Sequence, residues 1–156
     1  MILHLRYTAR QGGSVLGEGA VTYIEELVGA ADTSGLALLL SLPHEFPSEW
    51  HKFVVANAGS PSPSVSFSAN VKREYFPYFT QGKDIIVNAI QILAIQGEEL
   101  STVTLKDADF DLGSFSAGLN SLGEAVFAPA LVGPIGEKFD PDAPVFILIK
   151  YSVESV

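Results

Sequence analysis

The sequence predicts a mainly β fold: an antiparallel β-sandwich with two short helices, formed by residues 1–156 as one domain. Three observations carry this expectation. Several short runs rich in β-branched and aromatic residues are separated by Gly/Pro turns. The last of them, Pro144-Val145-Phe146-Ile147-Leu148-Ile149-Lys150-Tyr151-Ser152-Val153, is the plainest strand in the chain and reads as central. Both ends of the chain read as strands, and β domains often tie their ends together in one sheet. On that ground Ile2–Ala9 and Val145–Val153 are expected to pair or to lie side by side.

In order, Ile2 to Ala9 alternates roughly and is rich in strand formers. Gln11-Gly12-Gly13-Ser14 breaks it, and Ser14 suits the cap of a helix in which Leu16, Ala20, Tyr23, Ile24 and Leu27 share a face. Gly17 and Gly19 weaken that helix by roughly 1 kcal/mol each, so it depends on tertiary packing. Ala30 to Ser34 is a turn. Gly35 to Leu42 has no polar face and reads as a strand buried on both sides. A second helix begins at Pro47, with Glu49 at its positive end and Trp50, Phe53 and Val54 on one face, and runs out near Asn57. Gly59-Ser60-Pro61-Ser62-Pro63-Ser64 is a surface loop, and Val65 to Ser68 alternates as a half-exposed strand. After a turn at Gln81 to Asp84, the run to Ile95 is the longest strand candidate, although Ile86, Ala89, Ile90, Leu93 and Ala94 also fit a helix. Ser101 to Leu105 and Glu124 to Ala128 are further strands, and the Gly/Ser-rich stretch Ser114 to Ser121 is expected to be irregular.

The stretch Leu42 to Phe79 anchors the rest. It holds the only Trp and many of the aromatics, which bury the largest apolar area per residue. Trp50, Phe53, Phe76 and Phe79 are expected to be buried close together. The aromatics of Tyr75-Phe76-Pro77-Tyr78-Phe79 suit core packing first, and a sugar-stacking platform or a partner hot spot second.

Composition removes several function classes. The net charge of −9 repels nucleic acid and anionic lipid, so neither is an expected partner. The absence of Cys removes disulfides, thiolate metal sites and thiol nucleophiles, and is neutral on compartment. Met1-Ile2-Leu3 runs straight into a polar pattern, unlike a signal peptide, and no apolar run is long enough to span a bilayer.

The chemical inventory is thin. His4, His44 and His51 match no ligand spacing, and no metal is expected. Asp107-Ala108-Asp109-Phe110-Asp111 starts like a Ca²⁺ loop, but Leu112 stands at the sharp-turn Gly position and Gly118 at the bidentate Glu position. It reads as a charged turn after a strand, as does Asp140-Pro141-Asp142. There is no nucleophile elbow, no phosphate loop and no obvious pair of catalytic carboxylates. No catalytic residue and no cofactor is assigned.

Three passages resemble one family. They are Ile2-Leu3-His4-Leu5-Arg6-Tyr7-Thr8-Ala9-Arg10-Gln11-Gly12-Gly13, Leu42-Pro43-His44-Glu45-Phe46-Pro47-Ser48-Glu49-Trp50-His51-Lys52-Phe53, and Tyr75-Phe76-Pro77-Tyr78-Phe79. The chain resembles the C-terminal domain of the A subunit of bacterial Tc (ABC) insecticidal toxin complexes, with Gln11 where an acidic residue is expected. The resemblance covers about half the chain and ends near Gln96. It implies a secreted bacterial assembly and a β-sandwich that docks the B subunit during toxin translocation. It also implies a pentamer in a full-length A subunit and a monomer for the isolated domain. Met1 directly before the first passage points to an excised domain or a free-standing relative. The competing reading is a carbohydrate-binding sandwich, because fold does not fix function. A docking domain calls for a flat, polar-rimmed apolar patch. A lectin calls for a shallow groove with an exposed aromatic and convergent polar groups.

Overall fold

The computed structural model describes residues 35–96, 99–137 and 139–155. The expected strand Ile2–Ala9 with its place beside Val145–Val153, the helix from Ser14 to Leu27 and the turn at Ala30 to Ser34 lie outside the described residues.

The described chain is mainly β and its sheets are antiparallel. The strands are β1 (Leu36–Ser41), β2 (Ala69–Lys72), β3 (Lys83–Gln96), β4 (Glu99–Leu105), β5 (Glu124–Phe127) and β6 (Val145–Ser155). The helices are α1 (Leu42–Glu45), α2 (Pro47–Ala56) and α3 (Leu112–Ser121), one more than expected even without the stretch from Ser14. Four strands form one sheet in the order β1-β6-β3-β4, and β2 and β5 pair as a separate ribbon, giving a sandwich-like arrangement. The expected central strand is indeed interior: β6 lies between β1 and β3. The ladder shifts register between Val87 and Ala89, a bulge that takes up one residue of β3.

Side chains alternate across a sheet, so each strand feeds two faces. The inner face takes Ile85, Val87, Ile90, Ile92 and Ala94 from β3, opposite Val153, Tyr151, Ile149, Ile147 and Val145 of β6, all buried. Burial of such aliphatic side chains is worth about 1.5–3 kcal/mol each. Burial also lifts the Tyr151 phenol above its ordinary pKa. Against this face lies an aromatic cluster centred on Phe67, whose ring is 6.0 Å from Trp50, 5.9 Å from Phe53 and 6.4 Å from both Phe46 and Phe127.

Helix α2 is built as expected: Pro47 opens it, Glu49 sits in its first turn, and Trp50 and Phe53 face the core. It ends at Asn57, which is buried and fully bonded. Asn57 Nδ2 donates to the carbonyls of Phe53 (2.8 Å) and Val65 (3.1 Å), and Oδ1 accepts from the amides of Ser64 (2.7 Å) and Val65 (3.0 Å).

Four expectations are corrected. The Gly35–Leu42 run is not buried on both sides: β1 is an edge strand, and Leu39 is exposed on the outer face. Val65–Ser68 is not a strand; the ladder begins at Ala69. Ser114–Ser121 is helical, because Asp111 caps it and Leu112, Phe115 and Leu119 give it a buried stripe. Phe79 is not buried but 36% exposed, whereas Phe76 is buried in the same core as Trp50 and Phe53, stacking edge-on against Tyr151 at 5.0 Å.

Candidate interaction surface

The outer face of the four-stranded sheet displays several exposed or half-buried apolar side chains. Register sets its rows. Ser41, Phe146, Leu93 and Thr102 lie side by side across the four strands, and Leu39, Leu148, Gln91 and Thr104 form the next row. Ile95 and Leu100 face each other at one end. Leu39 is 56% exposed, Ile95 48% and Leu100 65%, while Phe146, Leu148 and Leu93 are half-buried. These outward side chains are no part of the inner core cluster.

Polar side chains lie among and beside these rows. Gln91 Nε2 donates to Thr104 Oγ1 at 3.1 Å, Asn88 at the bulge bonds Ser152 at 3.4 Å, and Lys150 stands between Ala37 and Ala89. Asp84 and Glu154 close that end of the face. Clustered exposed apolar side chains with polar groups beside them are features shared with interaction sites.

Two grooves lie elsewhere. One, of about 380 Å³, is lined by Tyr75 and Phe46 with Glu45, Glu49, Asn70 and Lys72 around them. Tyr75 packs edge-on against Phe46 at 5.8 Å, which fixes its ring at the groove wall. The other, of about 360 Å³, is apolar and runs between α3 and β5 past Phe110, Phe115, Leu122 and Val126.

The residues singled out in sequence fall apart in space. His44 lies on the surface, its Nδ1 2.8 Å from Ser41 Oγ; His51 is exposed on α2; His4 lies outside the described residues. Asp109 Oδ2 accepts the Lys106 amide at 3.3 Å within the turn, as a turn-closing carboxylate does. Asp111 accepts both the amide (2.8 Å) and the hydroxyl (2.7 Å) of Ser114, and the amide bond above all holds its carboxyl below the ordinary range. Asp140 accepts the Asp142 amide at 3.0 Å. Among the described residues no three His, Asp or Glu side chains converge as metal ligands would. Of Tyr75–Phe79, Phe76 is core, Tyr75 lines the first groove, and Tyr78 and Phe79 lie on the surface.

Sequence reasoning missed the outer face because the apolar runs of β1 and β6 have no strict alternation. The available signal was weaker: Lys150 and Ser152 in β6, and Thr102 and Thr104 in β4, occupy alternate positions on the same side. It also missed a clamp on β3. Beyond the reach of β4, the open side of β3 is closed by α3. There Asn120 Oδ1 accepts the Ile85 amide, Asn120 Nδ2 donates to the Ile85 carbonyl, both at 2.9 Å, and Ser116 Oγ accepts the Val87 amide at 2.9 Å. Arg73 completes the clamp, donating to Asn120 Oδ1 at 2.7 Å and to the carbonyls of Thr80 and Lys83.

Comparison of the chain with protein-family models, with curated proteins and with solved structures returned no match. The resemblance to the toxin-complex domain therefore stands on its three sequence passages alone.

Proposed function

We propose that this chain is a non-catalytic protein–protein interaction domain whose docking surface is the outer face of the four-stranded sheet. The observation that carries the reading is the set of outward apolar side chains Leu39, Phe146, Leu148, Leu93, Ile95 and Leu100 with polar groups among and beside them. Docking would hide apolar area from water and leave the polar groups beside it solvated, which is how stable interfaces divide their surface. The partner class comes from the resemblance: a B-type subunit of a toxin translocation complex, in a secreted bacterial assembly. Contact by the isolated domain should be weak, since a fivefold assembly gains avidity that one copy lacks.

A second reading has its own observation. The Tyr75 groove combines an aromatic wall with Asn70, Glu45, Glu49 and Lys72, the elements of a sugar-stacking site. A pull-down from the source organism, run beside a glycan array, separates the two. Capture of a B-type subunit supports docking. Saturable sugar binding with no protein captured replaces docking with the lectin reading.

A further inference from the structure

We infer that the outer edge of β1 pairs, antiparallel and about a two-fold axis through Leu38, with the β1 edge of a second copy of this chain. The first half of β3 is capped by Asn120 and Ser116. The other edge strand, β4, starts at the charged Glu99 and carries Ser101, Thr102 and Thr104. Among the described residues, no strand pairs with the outer edge of β1. Nor does β1 carry the usual protection against pairing, since Leu-Ala-Leu-Leu-Leu-Ser contains no charge, no Pro and no bulge.

The strand is complementary to itself. With Leu38 opposite Leu38 of the second copy, Leu36 lies opposite Leu40, and Ala37 opposite Leu39. Every one of these cross-strand pairs is apolar and lies on a matching face. Leu36 and Leu38 are only half-buried, packed on the core from one side and open at the edge. An added strand closes that flank. The joined sheet has eight strands, and the two outer faces merge rather than being covered, so this pairing goes beyond the docking role and is compatible with it. It departs from the monomer that the resemblance implies for the isolated domain. A seam of six residues is short, so the association is weak, with a Kd of roughly 1–100 µM. Each copy carries a net charge of −9. Pairing through uncharged residues should therefore tighten as salt screens that repulsion, opposite to a dimer held by ion pairs.

The test is sedimentation velocity on the full chain across about 1–200 µM protein at about 0.05 and 0.5 M salt. The wild type should move from monomer to dimer with concentration, and further at high salt. The double variant A37K/L39K should stay monomeric. Both positions are exposed, so its fold is undisturbed, but it sets like charges directly opposite each other across the seam. The control Leu100→Asp, on the far edge of the sheet, should dimerise as the wild type does. In the wild type, amide exchange over Leu36–Ser41 should slow as concentration rises, a readout that needs no variant. A wild type that stays monomeric throughout, a dimer that survives A37K/L39K, a dimer lost in Leu100→Asp, or exchange indifferent to concentration overturns the inference. Leu39 belongs to both the seam and the docking face, whereas Leu100 belongs to the docking face alone, so a dimer lost in A37K/L39K and kept in Leu100→Asp is placed at the seam, and failure of one proposal leaves the other standing.

Discussion

Single side chains hold this structure at a few points that hydrophobicity does not mark. Asn57 is the clearest. It is buried, it uses both donors and both acceptor positions, and every partner is a backbone group of the α2 end or of the loop behind it. Asn57→Ala leaves those groups without partners in a dry place, where each unmet donor or acceptor costs about 1–3 kcal/mol. Chemical denaturation should show a loss of about 2–4 kcal/mol, and a loss under about 0.5 kcal/mol would refute the hub. Asp111 is a second point, at the surface. Its folded pKa is lowered by the Ser114 amide and then the Ser114 hydroxyl, so its contribution is complete above the ordinary carboxylate value of 3.8. It is lost as pH falls through the lower folded value. Asp111→Asn keeps an acceptor for the cap but removes the titration. Melting curves taken from neutral to acid pH should show wild type more stable at neutrality and the two proteins converging below 3.8. A constant gap across that range contradicts the cap. The aromatics divide in the same way: Trp50→Ala should cost about 3–5 kcal/mol, and Phe79→Ala well under half of that, because Phe79 is at the surface.

The elements differ in how far they could be read from the chain. Strands β3 and β6 and helix α2 were legible, because dense β-branched runs and a Pro-Ser-Glu start are strong local signals. Helix α3 was not. Its Gly113, Ser114, Ser116, Gly118, Asn120 and Ser121 are poor helix formers, and Asp111 reads equally well as a turn or ion-loop carboxylate. The residues that weaken it locally have work elsewhere: Ser116 and Asn120 stand one turn apart so that both reach the open side of β3. Gly118 lets the helix lie against β5, where an added Cβ would come within 3.0 Å of the Glu124 carbonyl. Long-range requirements such as these leave no periodic trace in sequence. The exposure of β1 was missed for a related reason, since an unbroken apolar run says the strand is apolar on both faces and not what lies against them. One consequence belongs to this scale. Asn120→Ala should speed amide exchange at Ile85 by roughly ten-fold or more, with little change at Ile90, which lies between two strands. Equal acceleration at both sites would mean that Asn120 acts through global stability and not as a clamp.

At the scale of the sheet as a whole, the central observation is an asymmetry. The inner face of β3 and β6 is sealed by an aromatic layer, while the outer face presents Leu39, Ile95 and Leu100 to its surroundings. A water-facing sheet side is normally polar in alternation. Here Asn88, Lys150 and Ser152 gather toward one end, while Leu39, Phe146, Leu148 and Leu93 lie with Ser41, Gln91, Thr102 and Thr104 interspersed among them. Exposed apolar side chains that the fold leaves uncovered are what a protein partner would bury, which is the role proposed for this face. The most direct measurement is titration calorimetry of a B-type subunit against the full chain and two variants. I95D/L100D changes only exposed outer-face positions; Tyr75→Ala alters the groove. The account predicts that I95D/L100D weakens binding at least ten-fold while the chain stays folded, its melting temperature lowered only by the two like charges that face each other across β3 and β4, and that Tyr75→Ala leaves affinity within two-fold of wild type. Undiminished binding by I95D/L100D, with affinity lost in Tyr75→Ala, would contradict it.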